Sequence, residues 1–331
     1  MRSGVALQPA YDPDTFGDIV QKSEEWGLDE LWLTDSSLHS RYSYSYLTIA
    51  ALRTTRMTLG TAVTNPVTRH PALGAVAIST IDEISKGRAI YGIGAGDRPL
   101  EALGYKPARL ALLEDSIEAA RRLWTGESVS WQARGFELDD AHMRFPPERP
   151  DIPVYISASG PKTLELAGRV ADGVILLAGL HPDGLRYALE HIDRGVDMAG
   201  RSERPQISVF AYGQISDDEE AALASARTIA AWFPQTAPMY CELAGLSKDL
   251  IEKVRALYAG GEFQEAEEAA KLLPDEFVYR MALAGGEATV REHIATLEGL
   301  GIDSMTVFPI GGTVESRFST IQAYADIVSQ P

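Results

Sequence analysis

Apolar positions in this chain fall into short runs separated by longer amphipathic stretches. Eight runs read as strands: "GVALQ" (4–8), "ELWLT" (30–34), "MTLGTAV" (57–63), "RAIYGIG" (88–94), "IPVYIS" (152–157), "GVILL" (173–177), "PQISVFAYGQI" (205–215) and "DSMTVFP" (303–309). Stretches with helical periodicity stand between them. The clearest covers 108–126, with Leu110, Leu113, Ile117, Ala120 and Trp124 on one face. Others cover 14–27, 44–55, 71–85, Pro161 to about 170, 182–199 and 314–328. The strand runs lack strict apolar–polar alternation, which suits parallel strands buried on both faces. Strict strand–helix alternation leaves a doubly wound sheet or a (β/α)8 TIM barrel. Eight units in 331 residues predict the barrel.

Two stretches interrupt the alternation. Residues 128–145 read as a hairpin excursion turning at Arg134-Gly135. Residues 217–298 are too long for one crossover and hold several amphipathic segments, so they predict a helical insertion between the seventh and eighth strands. No compositional shift marks a linker, and residues 1–331 read as a single domain.

The net charge is −17, from 47 acidic and 30 basic residues. Such a surface repels phosphate backbones and anionic lipid, which argues against nucleic acid and membrane partners. The single cysteine, Cys241, excludes an internal disulfide and a cysteine-based zinc site. A lone thiol reads as a core side chain before a nucleophile. The N-terminus lacks the pattern of a signal peptide and no apolar run is long enough to span a bilayer, so a soluble cytoplasmic protein is expected.

The stretch "IYGIGAGDRPLEALGY" (90–105) places Gly92, Gly94 and Gly96 after the fourth strand. A dinucleotide fingerprint needs G-x-G-x-x-G after a first strand, with the helix opening in the loop. Here the spacing is one residue short, Pro99 follows, and Asp115 sits mid-helix. The plainer reading is a sharp strand end that needs bare backbone. Asp97, just past that end, falls on the catalytic face of a barrel.

"LGTAVTNPVTRHP" (59–71), "GRAIYGIGAGD" (87–97), "ALGY" (102–105), "YISASGPKTLELAGRVADGVILLAG" (155–179) and Thr34-Asp35 together resemble the bacterial-luciferase-like superfamily. Within it they are most similar to the deazaflavin-dependent methylenetetrahydromethanopterin reductases. The resemblance implies a (β/α)8 barrel that binds coenzyme F420, with FMN as the alternative cofactor. It also implies a non-proline cis peptide at Ala62-Val63 behind the deazaflavin ring. Thr64 and Asn65 would meet the ring edge, and Gly94 and Gly96 would clear space for it. Ala158, Ser159 and Gly160, with Lys162, would hold the cofactor's phosphate at a helix start, where Ser157 or Ser159 could equally act as a helix cap. Asp97 and Asp35 are the candidate catalytic acids, although Asp35 could instead cap the next helix.

The chain departs from the family pattern at two places. The family's histidine after Thr34-Asp35 is replaced by Ser36, and its acid on the first strand by Ala6. Gln8, Ser36 and His39 are candidate substitutes, and Arg69 is a candidate contact for an acidic substrate or cofactor tail. His70-Pro71 reads as a further contact or as a helix start. The expected activity is hydride transfer between F420 and a tetrahydropterin, in a homodimer or homotetramer. An FMN-dependent monooxygenase and a non-catalytic cofactor-binding relative are the alternatives.

Overall fold

The computed structural model describes residues 1–96, 100, 102–259 and 263–330. In chain order the strands are β1 (Arg2–Leu7), β2 (Glu30–Leu33), β3 (Thr58–Thr61), β4 (Ala89–Ile93), β5 (Val129–Gln132), β6 (Glu137–Ala141), β7 (Val154–Ala158), β8 (Gly173–Leu176), β9 (Gln206–Ile215), β10 (Leu283–Gly285) and β11 (Ser304–Pro309). Eight of them pair in parallel in the order β9-β11-β1-β2-β3-β4-β7-β8, and β8 returns to β9 to close the barrel. β5 and β6 form the expected antiparallel hairpin outside it.

The barrel explains why the strand runs are apolar throughout. Val5, Leu7, Leu31, Leu33 and Leu59 pack outward on helix residues such as Phe16, Leu47 and Ile78. Ala6, Trp32, Ile90, Tyr155, Ile175 and Phe210 fill the inside. Alternate side chains thus point to two different apolar layers, so polarity does not alternate. Trp32 crosses the interior because Gly60 faces it; a Cβ on Gly60 would lie 2.4 Å from the indole.

A polar layer closes the N-terminal end. Glu30 is buried and accepts from Trp32 Nε1 (3.0 Å) and Ser304 Oγ (3.3 Å), and Arg2 Nε lies 3.3 Å from its second oxygen. Tyr155 OH and Arg2 Nη2 both donate to Gln206 Oε1, at 2.5 and 2.7 Å. Inward Trp32 and Tyr155 separate this layer from the C-terminal mouth.

Between β9 and β11 the chain is mostly helical, as expected, and it departs from a plain helical insertion in two ways. β10 is a three-residue strand added to the C-terminal end of β9. Helix Glu287–Gly299 packs on the last helix, Val314–Ser329, as a crossover helix of the barrel. Among the described residues no helix is long and apolar enough to cross a membrane. Cys241 is fully buried, and burial pushes its thiol pKa up, as a core side chain requires.

Candidate active site at the barrel mouth

β3 stops at Thr61, and the bond between the next two residues, Ala62 and Val63, is cis. Ala62 N still donates to Leu33 O (2.7 Å), and pairing with β4 resumes only at Thr64, whose N–H donates to Gly92 O (3.0 Å) and whose carbonyl accepts from Gly94 N (2.9 Å). Two residues therefore stand out from the strand as a bulge. The glycine run makes room for it. A Cβ on Gly92 would sit 1.7 Å from Thr61 O, and one on Gly94 would sit 2.7 Å from Val63 Cγ2. Gly96 has φ +81°, the left-handed region. These glycines serve a strand end rather than a nucleotide turn. Asp97, the next residue, lies outside the described residues.

Asp35 and Arg69 form a bidentate ion pair just above this bulge. Arg69 Nη2 donates to Asp35 Oδ1 at 3.0 Å, and Arg69 Nη1 donates to Asp35 Oδ2 and, at 2.9 Å, to Thr64 Oγ1. The guanidinium lies 4.8 and 4.9 Å from the rings of Tyr42 and Tyr44, and Tyr42 OH accepts from Nε at 3.2 Å. Ser43 Oγ donates to Asp35 Oδ1 at 2.9 Å. Asp35 is 6% exposed and Arg69 14%, so the charges neutralise each other out of bulk water. Burial opposes the Arg69 charge, but the hydrogen bonds and charge of Asp35 outweigh it and raise the pKa. Burial likewise pushes the Tyr44 phenol well above its usual range. Tyr42, Ser43 and Tyr44 carry no motif, so the sequence offered no signal for their part.

Several candidates are committed to the scaffold. Asn65 Oδ1 accepts from Val67 N (3.0 Å), Thr68 N (2.9 Å) and Thr68 Oγ1 (3.2 Å), so this oxygen holds its own loop. Gln8 Nε2 donates to His39 O (2.8 Å), and the Ser36 carbonyl accepts from His39 N and Ser40 N. Arg69 is spent on Asp35 rather than extended toward an acidic ligand. His70 is the N-cap of helix Pro71–Ser85, its Nδ1 accepting from Ala72 N at 3.3 Å. Asp35 caps no helix, since Tyr42 is the N-cap of helix Ser43–Arg53. Ala6 is buried in the inner apolar layer, in register with Trp32, where an acid would meet an apolar surrounding.

The helix after β7, Pro161–Val170, is capped by Gly160, with no side-chain cap from Ser157 or Ser159. Thr163 N and Leu164 N both reach Gly160 O, while Pro161 has no N–H. An added Cβ on Gly160 would meet nothing within 4 Å. Open space therefore stands before a helix start that carries no internal cap, which suits an anion. Lys162 is exposed beside it, and Tyr240 OH from helix Pro238–Leu243 donates to Ser159 O (2.8 Å) and braces the loop. The buried Thr34 Oγ1 has no hydrogen-bond partner among the described residues, and Thr34 follows β2 in the alternation that sends Trp32 inward. An unpaired buried hydroxyl, and open space before a helix start that has no side-chain cap, fit a planar cofactor with an anionic tail.

A cleft of about 870 Å³ opens at the opposite end, lined by Arg121, Arg169, Asp172 and Arg201 among others. Its arginines are already engaged: Arg121 pairs with Asp172 at 2.8 Å, Arg169 with Glu114 at 3.0 Å, and Arg201 donates to the carbonyls of Gly168 and Ala171.

Residues 1–304 match the luciferase-like monooxygenase family model. The chain belongs to that family. Within the luciferase-like family it is 36% identical, over 94% of both chains, to a protein of Archaeoglobus fulgidus named 5,10-methylenetetrahydromethanopterin reductase. It is 32% identical to a Kineococcus radiotolerans protein named F420-dependent glucose-6-phosphate dehydrogenase, over 96% of this chain and 93% of that one. The fold matches the structure of the coenzyme F420-dependent tetrahydromethanopterin reductase of Methanopyrus kandleri. That match has TM-score 0.87 and 25% identity over 98% of this chain and 97% of the other.

Proposed function

We propose that this luciferase-like protein is an F420-dependent oxidoreductase that moves hydride between coenzyme F420 and a methylene-tetrahydropterin. It would interconvert the methylene and methyl forms of tetrahydromethanopterin or tetrahydrofolate. The observation that carries this reading is the Ala62-Val63 bulge, cleared by Gly94, on the same barrel mouth as the open cradle at Gly160. The reductase named above, similar over nearly the whole chain, supports the same reading.

Ala62, Val63 and Gly94 would seat the ring, and Gly96 would let the chain turn away from it. Thr64 and Asn65 would frame the ring edge, Thr64 held by its backbone bonds to β4 and Asn65 holding its own loop. Ala158, Ser159, Gly160 and Lys162 would hold the anionic tail. When bound, reduced F420 would supply a hydride; reduction of the methylene bridge to a methyl group would also take up one proton at the nitrogen released. Asp97 would orient the pterin and stabilise cationic character at that carbon. Asp35 would act through Arg69 and Thr64, as a positioning group.

Titration with F420, read by its fluorescence, tests cofactor use. Turnover with methylene-tetrahydromethanopterin and methylene-tetrahydrofolate tests the substrate. Asp97→Asn is expected to bind F420 as the wild type does and to lose about 100-fold or more in turnover. Absence of F420 binding at micromolar concentration, with oxygen uptake on reduced FMN, would replace this reading by a flavin monooxygenase.

A further inference from the structure

The barrel mouth has a second wall that the assignments above leave unused. In the barrel order β9 stands diametrically opposite β3, and β11 is its neighbour. Tyr212 on β9 and Phe308 on β11 are in register, and their rings stack 4.6 Å apart at 12°. Both belong to the inner layer, with Ala62, Val63 and Leu177. Phe210, one inward position below Tyr212, is buried, whereas Tyr212 and Phe308 are half-buried at the open end. Trp232, after helix Glu219–Ala230, continues the wall with its ring 6.4 Å from Tyr212. The wall is braced from behind: β10 pairs with β9 at Gly213, and Ile310 N donates to Gly213 O at 2.8 Å.

We infer that the stacked Tyr212–Phe308 pair is a platform for the flat nitrogen heterocycle of the substrate. This deepens the reading above and rests on it. Both rings project into the barrel from strands on the side opposite β3; each covers one face of the other, so their outer faces and edges are what a ligand would meet. π surface favours a flat heterocycle. A sugar phosphate needs a cation; among the described residues Arg69 is engaged by Asp35, Arg41 by the carbonyls of Ala10 and Tyr11, and Lys162 is assigned above to the cofactor's tail. The platform therefore selects a pterin over a sugar phosphate.

The test compares wild type with Phe308→Leu, Tyr212→Leu and Tyr212→Phe in full-length protein. Calorimetry measures binding of tetrahydrofolate, tetrahydromethanopterin and glucose 6-phosphate, and F420 fluorescence titration confirms that each variant is folded. Both leucine variants are expected to weaken pterin binding and raise KM about tenfold, with kcat and F420 affinity changed far less. Tyr212→Phe is expected to restore binding. Should Phe308→Leu fail to fold, the Tyr212 pair of variants decides. Unchanged pterin affinity in the leucine variants, or wild type that binds glucose 6-phosphate and neither pterin, overturns the platform. Wild type that binds a pterin through these rings without turning it over overturns the proposed reaction and leaves the platform standing.

Discussion

Arg69 joins three elements through one guanidinium: Asp35 after β2, Thr64 after the bulge, and the rings of Tyr42 and Tyr44 where the next helix begins. Each contact uses a property lysine lacks, namely a planar fork and a stacking face. Arg69→Met would strand a nearly buried carboxylate and is expected to cost about 3–5 kcal/mol in urea denaturation. Arg69→Lys keeps the charge without the fork and is expected to cost about 1–2 kcal/mol. The proposed cofactor should bind more weakly to both, because Thr64 loses its anchor beside the bulge. Equal stability of wild type and Arg69→Met would mean that the ion pair is dispensable. Sequence offered Arg69, just past β3, as a contact for an acidic ligand; the structure pairs it with Asp35. Asp35 lies 34 positions away, and one sequence does not state such a pairing.

At the scale of elements, the insertion braces the proposed cradle through a hydroxyl. Tyr240 is buried, and its OH donates to Ser159 O at 2.8 Å. Tyr240→Phe leaves that carbonyl without its donor and is expected to cost about 1 kcal/mol of order in the cradle. F420 affinity should then fall about fivefold with the melting curve nearly unchanged. An unaltered affinity would detach the insertion from the site. How far these elements were legible follows from how local their causes are. The eight strands were legible because each is apolar on both sides, a pattern carried by neighbouring residues. The ends were less so. β3 stops two residues early, at Thr61, because a backbone bulge follows, and only the family resemblance pointed to Ala62-Val63. β10 passed unnoticed since three residues in a helix-rich stretch carry no periodicity. The cap at Gly160 was missed because serine is the better capping side chain, whereas an open cradle is served by none.

At the scale of the whole molecule, the barrel separates an apolar, half-open mouth from a sealed polar floor, so the floor can be altered without touching the site. Burial raises the Glu30 carboxyl pKa above its usual range, against the opposing pull of Arg2, Trp32 and Ser304. The folded protein therefore holds this proton more tightly than the unfolded chain does. Stability from that difference is present at pH below the ordinary carboxyl value and is lost as pH rises through the raised folded value. Glu30→Gln keeps an oxygen acceptor for Trp32 Nε1 and Ser304 Oγ and removes the titration, while Arg2, 37% exposed, retains Gln206. Relative to wild type, the variant should gain stability as pH rises from about 4.5 toward neutrality, by on the order of 1 kcal/mol. Thermal melts of both proteins across that range measure the difference, with F420 titration expected to be the same for each. A stability difference constant across the range would show that Glu30 stays charged throughout and that Arg2 compensates its burial in full.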